Sequence, residues 1–284
     1  MSRRARPEPG APHLLSVERR AGGDAHAFPF SVPAVRALGT LDLRAPVTFF
    51  VGENGSGKST LLEGIAAAAG LPTVGSHDLD DDASLGAQRA LGAALRLAWR
   101  TRTRRGFFLR AEDFFGFTKR LAQLRAELQG RVAEVEREYR EQGRSAYAMG
   151  LAAGPAAGSL AELERRYGAD LDAMSHGQSF LKLFEARFVP GGLYLLDEPE
   201  APLSPHSQLA LLALLGDMVA QDAQFVVATH SPILLAYPGA RIYSFDEAPP
   251  AVVPYDELPH VAVTRDFLAA PERYLRQLRG TRGT

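Results

Sequence analysis

Val47-Thr48-Phe49-Phe50-Val51-Gly52-Glu53-Asn54-Gly55-Ser56-Gly57-Lys58-Ser59-Thr60 begins with an apolar, β-branched run and turns abruptly into glycines. A continuous run of this kind reads as a parallel strand buried on both faces. The residues that follow, 59–69, read as a helix with Leu61, Leu62 and Ile65 on one side. Gly52, Gly57, Lys58 and Ser59 match the spacing Gly, four residues, Gly, Lys, Ser/Thr. Strand, Gly-rich loop and helix is the setting in which backbone N–H groups can wrap a phosphate chain and the helix start can face its charge. On this reading Gly52, Glu53, Asn54, Gly55, Ser56 and Gly57 form the cradle and Lys58 reaches the β- and γ-phosphates. Ser59 offers its hydroxyl to Mg2+, and Thr60 supports the α-phosphate side. A plain Gly-rich turn is the bland alternative, and the flanking strand and helix argue against it.

Three further stretches carry chemistry. Leu193-Tyr194-Leu195-Leu196 reads as a second buried strand, and Asp197-Glu198-Pro199-Glu200 follows at its end. Ligands of α/β sheets gather at the C-terminal ends of strands. Asp197 is placed to hold Mg2+ and Glu198 to polarise an attacking water. Ser175-His176-Gly177-Gln178 has the serine and the glutamine spaced as a capping box, ahead of an apolar stripe Phe180, Phe184, Phe188. His230 follows the apolar run Phe225-Val226-Val227-Ala228-Thr229. A lone histidine is usually structural, but this one sits at the end of a buried strand downstream of the acids, where it could touch a γ-phosphate.

Around these stretches the chain reads as one α/β unit. It has 284 residues, 46% hydrophobic and 23% charged, with a net charge of -1 and no cysteine. That excludes disulfides, thiolate metal sites and a thiol nucleophile, and bulk charge gives no sign of a nucleic-acid or membrane-surface protein. The apolar stretch 209–220 is too short to span a bilayer and contains Asp217. The arginine-rich start is followed by Pro7, Glu8, Pro9 and Gly10 rather than an apolar run, so it reads as a disordered tail and not a secretion signal. A cytoplasmic location is the expectation.

Strands are expected at 14–19, 106–110 and 241–245, an extended stretch at 28–33, and helices at 34–38, 205–220 and 271–279. Ser204-Pro205 is a good helix start. Residues from about 84 to 175 are expected to form an inserted helical subdomain. Within it, Leu121, Leu124, Leu128, Val132, Val135 and Tyr139 recur at helical spacing over 118–141, and a partner helix in the same chain is the expected use of that stripe. The small residues of 143–158 read as a loop. Asp78, Asp80, Asp81 and Asp82 read as a solvated acidic loop.

The order of these motifs resembles the ABC ATPase superfamily: Walker A at 52–60, a signature-like motif at 175–178, Walker B at 193–198 and a switch histidine at 230. More narrowly, the stretches 29–36, 47–55, 106–112 and 174–180 are similar to stand-alone bacterial predicted ATPases of AAA-family or ABC type. The resemblance implies a P-loop NTPase sheet flanked by helices and an ATPase that uses ATP and Mg2+. It implies an ATP-dependent homodimer in which Ser175, Gly177 and Gln178 of one copy face the phosphate loop of the other. In that scheme Glu198 activates water, His230 senses the γ-phosphate, Lys58 serves catalysis as well as binding, and residues 200–204 lie across the dimer interface. The chain departs from the pattern at His176, where a glycine is usual, and at Met174, where a leucine is usual. No glutamine loop is evident, and Arg110 or Glu112 stands in its place.

A soluble dimerising switch is the reading this favours, with an unidentified client. The alternatives are the ATP-binding subunit of a membrane transporter and a DNA-associated repair or maintenance ATPase. For the latter, Arg100, Arg102, Arg104 and Arg105 offer a basic run, although a solvated face is the simpler account of it.

Overall fold

The structure is a computed structural model that describes residues 12–74, 84–167 and 176–280. The arginine-rich start, the acidic stretch 78–82 and Met174 and Ser175 lie outside the described residues. In chain order the elements are β1 (Leu14–Arg19), α1 (Pro33–Arg36), β2 (Thr40–Asp42), β3 (Val47–Val51), α2 (Lys58–Ala69), α3 (Ser84–Ala94), β4 (Leu95–Trp99), β5 (Gly106–Arg110), α4 (Ala111–Glu141), α5 (Ala146–Tyr167) and α6 (His176–Arg187). They continue with β6 (Leu193–Asp197), α7 (Pro205–Val219), β7 (Gln224–Ala228), α8 (Pro232–Leu235), β8 (Arg241–Ser244), β9 (Ala251–Val252), α9 (Pro259–Ala269) and α10 (Pro271–Gly280).

Among the described residues the strands form two sheets. The larger has the order β5-β6-β7-β3-β8-β9, parallel throughout except for the antiparallel edge pair β8–β9. The smaller is antiparallel, with the order β2-β1-β4. Every residue of β3, β6 and β7 is buried, as the unbroken apolar runs predict. Side chains alternate between two cores. Phe49, Tyr194, Leu196, Phe225 and Val227 face one core, completed by Phe180, Phe184 and Phe188 of the α6 segment and Leu211 and Leu215 of α7. Phe50, Leu193, Leu195, Val226 and Ala228 face the other, completed by Leu61, Leu62 and Ile65 of α2 and Leu14 and Val17 of β1.

One buried glutamine staples the two sheets. Gln224, at the start of β7, is fully buried. Its Oε1 accepts the N–H groups of His13 (2.9 Å) and Leu14 (2.8 Å), and its Nε2 donates to the carbonyls of Leu14 (2.8 Å) and Leu43 (2.7 Å). A buried amide is tolerated when its donors and acceptors are used, and here they are used on backbone about two hundred residues away in sequence. Gly106 opens β5 with a φ of 119°, and a Cβ there would lie 1.8 Å from the Leu193 carbonyl oxygen. Only glycine lets the edge strand start so close to β6.

Three expectations are corrected. Residues 28–33 form turns, not an extended stretch: Ser31 N–H donates to Ala27 O and Val32 N–H to Pro29 O. Pro29 and Pro33 lack the N–H a ladder needs. The segment 84–175 opens as helix α3, but that helix runs straight into an unforeseen strand, β4, which pairs with β1; β5, at the expected strand 106–110, joins the large sheet. Leu95, Leu97 and Trp99 alternate with Arg96 and Ala98, a strand period hidden in helix-like composition. Residues 143–158 are mostly helix, not loop. α5 includes Pro155, and its alanines let it lie closely against α4. Arg125 pairs with Glu164 at 3.3 Å and the rings of Phe117 and Tyr167 meet at 5.9 Å, so α4 takes a partner helix from the same chain; of the stripe, Leu121 is buried and Leu124 is exposed. α4 itself starts earlier than the stripe, at Ala111 directly after β5.

Candidate nucleotide site

The parallel register brings the C-terminal ends of β3, β6, β7 and β8 to one edge of the large sheet. The glycine loop leaves β3 there. Gly52 has a φ of 142°, Gly55 of 82° and Gly57 of 103°, a backbone that L side chains rarely adopt. At Gly57 a Cβ would also lie 2.6 Å from Cγ1 of Val32. The loop then feeds directly into α2, whose first residue is Lys58. The Lys58 ammonium is buried and spans its own loop, donating to Gly52 O at 2.6 Å and Glu53 O at 2.9 Å. Burial pushes it below the usual lysine range, while Glu198 and Asp197 pull it back up. Thr60 is half-buried in the first turn of α2.

Asp197 ends β6 and is 7% exposed. Its Oδ1 accepts the Ser59 hydroxyl at 3.1 Å. Burial raises the Asp197 carboxyl to about 6, against the opposing bond from Ser59. Two hard oxygen ligands facing each other beside a phosphate cradle fit Mg2+, which takes few protein ligands and completes its shell with phosphate and water. Among the described residues there is no cluster of three or more His, Asp or Glu able to hold a metal.

Glu198 follows with a φ of 50°. A non-glycine residue in this left-handed region stores strain that the surroundings must hold. Its N–H donates to Ala228 O at 2.9 Å. The His230 Nε2 lies 3.8 Å from Glu198 Oε1, with the two side chains 41% and 46% exposed. Both can therefore reach a ligand at this edge. Asp197, Glu198, His230, Lys58 and Ser59, singled out from separate stretches of sequence, thus converge. Gly177 and Gln178 lie in the first turn of α6, where a Cβ on Gly177 would be 3.1 Å from Pro202 O. That turn packs on the loop after β6. Ser175 is outside the described residues.

Three side chains make contacts at this edge that the sequence did not foretell, two of them, Arg110 and Glu200, at positions already noted. Asp246, just past β8, accepts the Glu53 N–H at 2.9 Å and the Ser244 hydroxyl at 2.9 Å, so it pins the phosphate loop from the neighbouring strand. The two flank a cavity of about 480 Å³ bordered by Pro33, Ala34 and Phe245. Arg110, the β5 neighbour of Asp197 in register, forms an ion pair with Glu63 of α2. Glu200 accepts the His230 backbone N–H at 2.7 Å. A wider apolar groove of about 760 Å³ runs beside Glu200 and His230, lined by Leu209, Leu212 and Leu268. The basic run has Arg100, Arg102, Arg104 and Arg105 exposed. Among the described residues no helix is long and apolar enough to cross a membrane.

Two family models match the sequence, one described as "AAA domain" over residues 35–91 and one as "AAA domain, putative AbiEii toxin, Type IV TA system" over residues 171–236. No curated protein matches. Among solved structures, a nucleotide-free ATP-binding cassette from an ABC transporter is 16% identical over 85% of this chain and 90% of its own, with a TM-score of 0.45. The Smc head domain from Pyrococcus furiosus, with an extended coiled coil and bound to the C-terminal domain of ScpA, is 14% identical over 94% and 100%, with a TM-score of 0.44. cbiO1 from Clostridium perfringens, part of the ABC transporter complex cbiONQ, is 16% identical over 94% and 99%, with a TM-score of 0.42. The first matched segment contains the phosphate loop and the second contains Asp197, Glu198 and His230. The chain is therefore similar to AAA-type domains in both segments that build this edge, within a mixed α/β fold whose largely parallel sheet is flanked by helices.

Proposed function

We propose that this chain binds and hydrolyses ATP with Mg2+ and works as an ATP-dependent dimerising switch. The observation that carries the reading is the Ser59–Asp197 contact at 3.1 Å, made where the phosphate loop, Glu198 and His230 meet. The loop amides would cradle the phosphates, and Lys58 would exchange the carbonyls of Gly52 and Glu53 for the β- and γ-phosphate oxygens. Ser59 and Asp197 would hold Mg2+, which supplies charge neutralisation on the phosphates. Glu198 would accept a proton from the water that attacks the γ-phosphorus as the bond to the β–γ bridging oxygen breaks, and His230 would hold the γ-phosphate from the other side. Ser175, Gly177 and Gln178 of a second copy would close the site. The client is coupled to closure and opening of the pair, and the cytoplasm is the expected compartment.

The test is steady-state ATP turnover and light scattering on the wild type, Lys58→Ala and Glu198→Gln. Turnover is expected in the wild type only, and Glu198→Gln is expected to accumulate an ATP-bound dimer. Undiminished turnover in Lys58→Ala would refute the site, and a monomer with ATP in every variant would refute the dimer.

A further inference from the structure

The loop after β6 and the loop after β7 are clasped at two points. Glu198 N–H donates to Ala228 O at 2.9 Å, and two residues further along each chain His230 N–H donates to Glu200 Oε1 at 2.7 Å. The first bond extends the parallel ladder. The second cannot, because it uses a side chain. Between the two bonds stand the strained Glu198 backbone and the 3.8 Å approach of Glu198 to His230. The next amides of the loop turn back on the loop itself: Ala201 N–H and Leu203 N–H donate to Glu198 O and Glu200 O. On the far side, Ser231 caps α8 by accepting the N–H groups of Ile233 and Leu234 and donates to Gln208 of α7. The histidine thus hangs between a fixed helix cap and one carboxylate.

That carboxylate is expensive to place there. Its second oxygen, Oε2, is buried and has no hydrogen-bond partner among the described residues. A buried acceptor left unpaired costs folding free energy, so stability alone does not account for an acid at this position.

We infer that Glu200 is a positioning residue: its carboxylate holds the His230 backbone and so sets the His230 imidazole against Glu198. The inference rests on the reading above that these two side chains act on the terminal phosphate. Glu200 itself touches neither reacting group. Its role is to make the short separation of Glu198 and His230 a fixed feature of the edge and not one of many loop conformations.

The experiment compares wild type, Glu200→Ala, Glu200→Gln, His230→Ala and the double variant Glu200→Ala/His230→Ala in hydrogen exchange at the His230 amide and in kcat and KM for ATP. In Glu200→Ala the amide is expected to exchange about ten-fold faster, as expected for loss of one bond to a charged acceptor. Its kcat is expected to fall by roughly ten-fold with KM nearly unchanged, the pattern of an interaction that matters to the transition state and not to binding. Glu200→Gln, which keeps an acceptor oxygen, is expected to restore both. In the His230→Ala background the Glu200→Ala change is expected to cost nothing more, because residues that act through one another are not additive. Wild-type exchange in Glu200→Ala overturns the inference, and so do equal losses in Glu200→Gln and Glu200→Ala or a full additional loss in the His230→Ala background. Should Glu200→Ala fail to fold, Glu200→Asp, one methylene shorter, takes its place. A wild type without ATP turnover would refute the hydrolysis reading, while the exchange rate would still decide whether Glu200 holds His230.

Discussion

The Ser59 hydroxyl and the Asp197 carboxylate meet at 3.1 Å across the start of α2 and the end of β6. Each is the residue that its own motif assigns to the metal. Replacing either, as Ser59→Ala or Asp197→Asn, is expected to abolish most of the gain in ATP affinity that Mg2+ confers. Affinity for ATP in excess chelator should change little, since Lys58 and the loop amides are untouched. Calorimetric titration with and without Mg2+ checks this, and an unaltered Mg2+ effect in Asp197→Asn would remove Asp197 from the metal site.

Asp197 also predicts a pH dependence. Its carboxyl stands at about 6 in the fold, raised from 3.8 chiefly by burial. The folded chain therefore prefers the protonated acid. The stability this contributes is fully present below about pH 3.8 and is lost as pH rises through about 6. Metal binding needs the carboxylate, so the stabilisation by Mg2+ and ATP together is expected to grow over the same rise. Thermal melts of free and loaded protein between pH 5 and 7.5 should show the two midpoints moving apart. Parallel curves would mean that Asp197 is ionised throughout.

Asp246 holds the phosphate loop through the Glu53 N–H at 2.9 Å. Asp246→Ala frees that amide, and the loss of one charge-assisted bond at an exposed site is expected to weaken ATP binding by about five- to ten-fold. Because the residue lies outside the reacting groups, kcat at saturating ATP should stay close to wild type. Fluorescent-nucleotide binding alongside turnover would separate the two, and unchanged affinity would show that the loop holds its shape without this anchor.

Gln224→Leu keeps the volume but strips the four hydrogen bonds that join His13 and Leu14 at the start of β1 and Leu43 just past β2 to β7. Backbone groups of His13, Leu14 and Leu43 would be left buried without partners. A loss of about 2–4 kcal/mol in unfolding free energy is expected on that account. Urea denaturation measures it, and a loss below about 1 kcal/mol would mean that apolar packing and the contacts of Asp42 with Tyr243 and Arg241 suffice to dock the small sheet.

How much of this was legible in the sequence follows from where each interaction reaches. The strand at 47–51, its glycine loop and α2 were readable because a buried parallel strand is an apolar run and a positive φ selects glycine, both local facts. The acids after β6 and the histidine after β7 were readable for the same reason, as polar residues at the ends of such runs. β4 was missed because arginines and alanines gave its neighbourhood a helical composition, and only its pairing with β1 made the alternation count. The helix at 146–167 was missed because small residues carry no strong local preference, so contact with α4 decided it.

The sequence by itself determined the glycine loop, the strands that frame it and which residues are the candidates for metal binding and water activation. Only the tertiary structure decided how they are held. Gln224 reaches residues 13, 14 and 43, Asp246 reaches Glu53, Arg110 reaches Glu63 and Glu200 reaches the His230 backbone. Each is a side-chain contact between segments far apart in the chain. Such contacts leave no period or spacing in the sequence, because their geometry exists only once the sheets have brought the partners together.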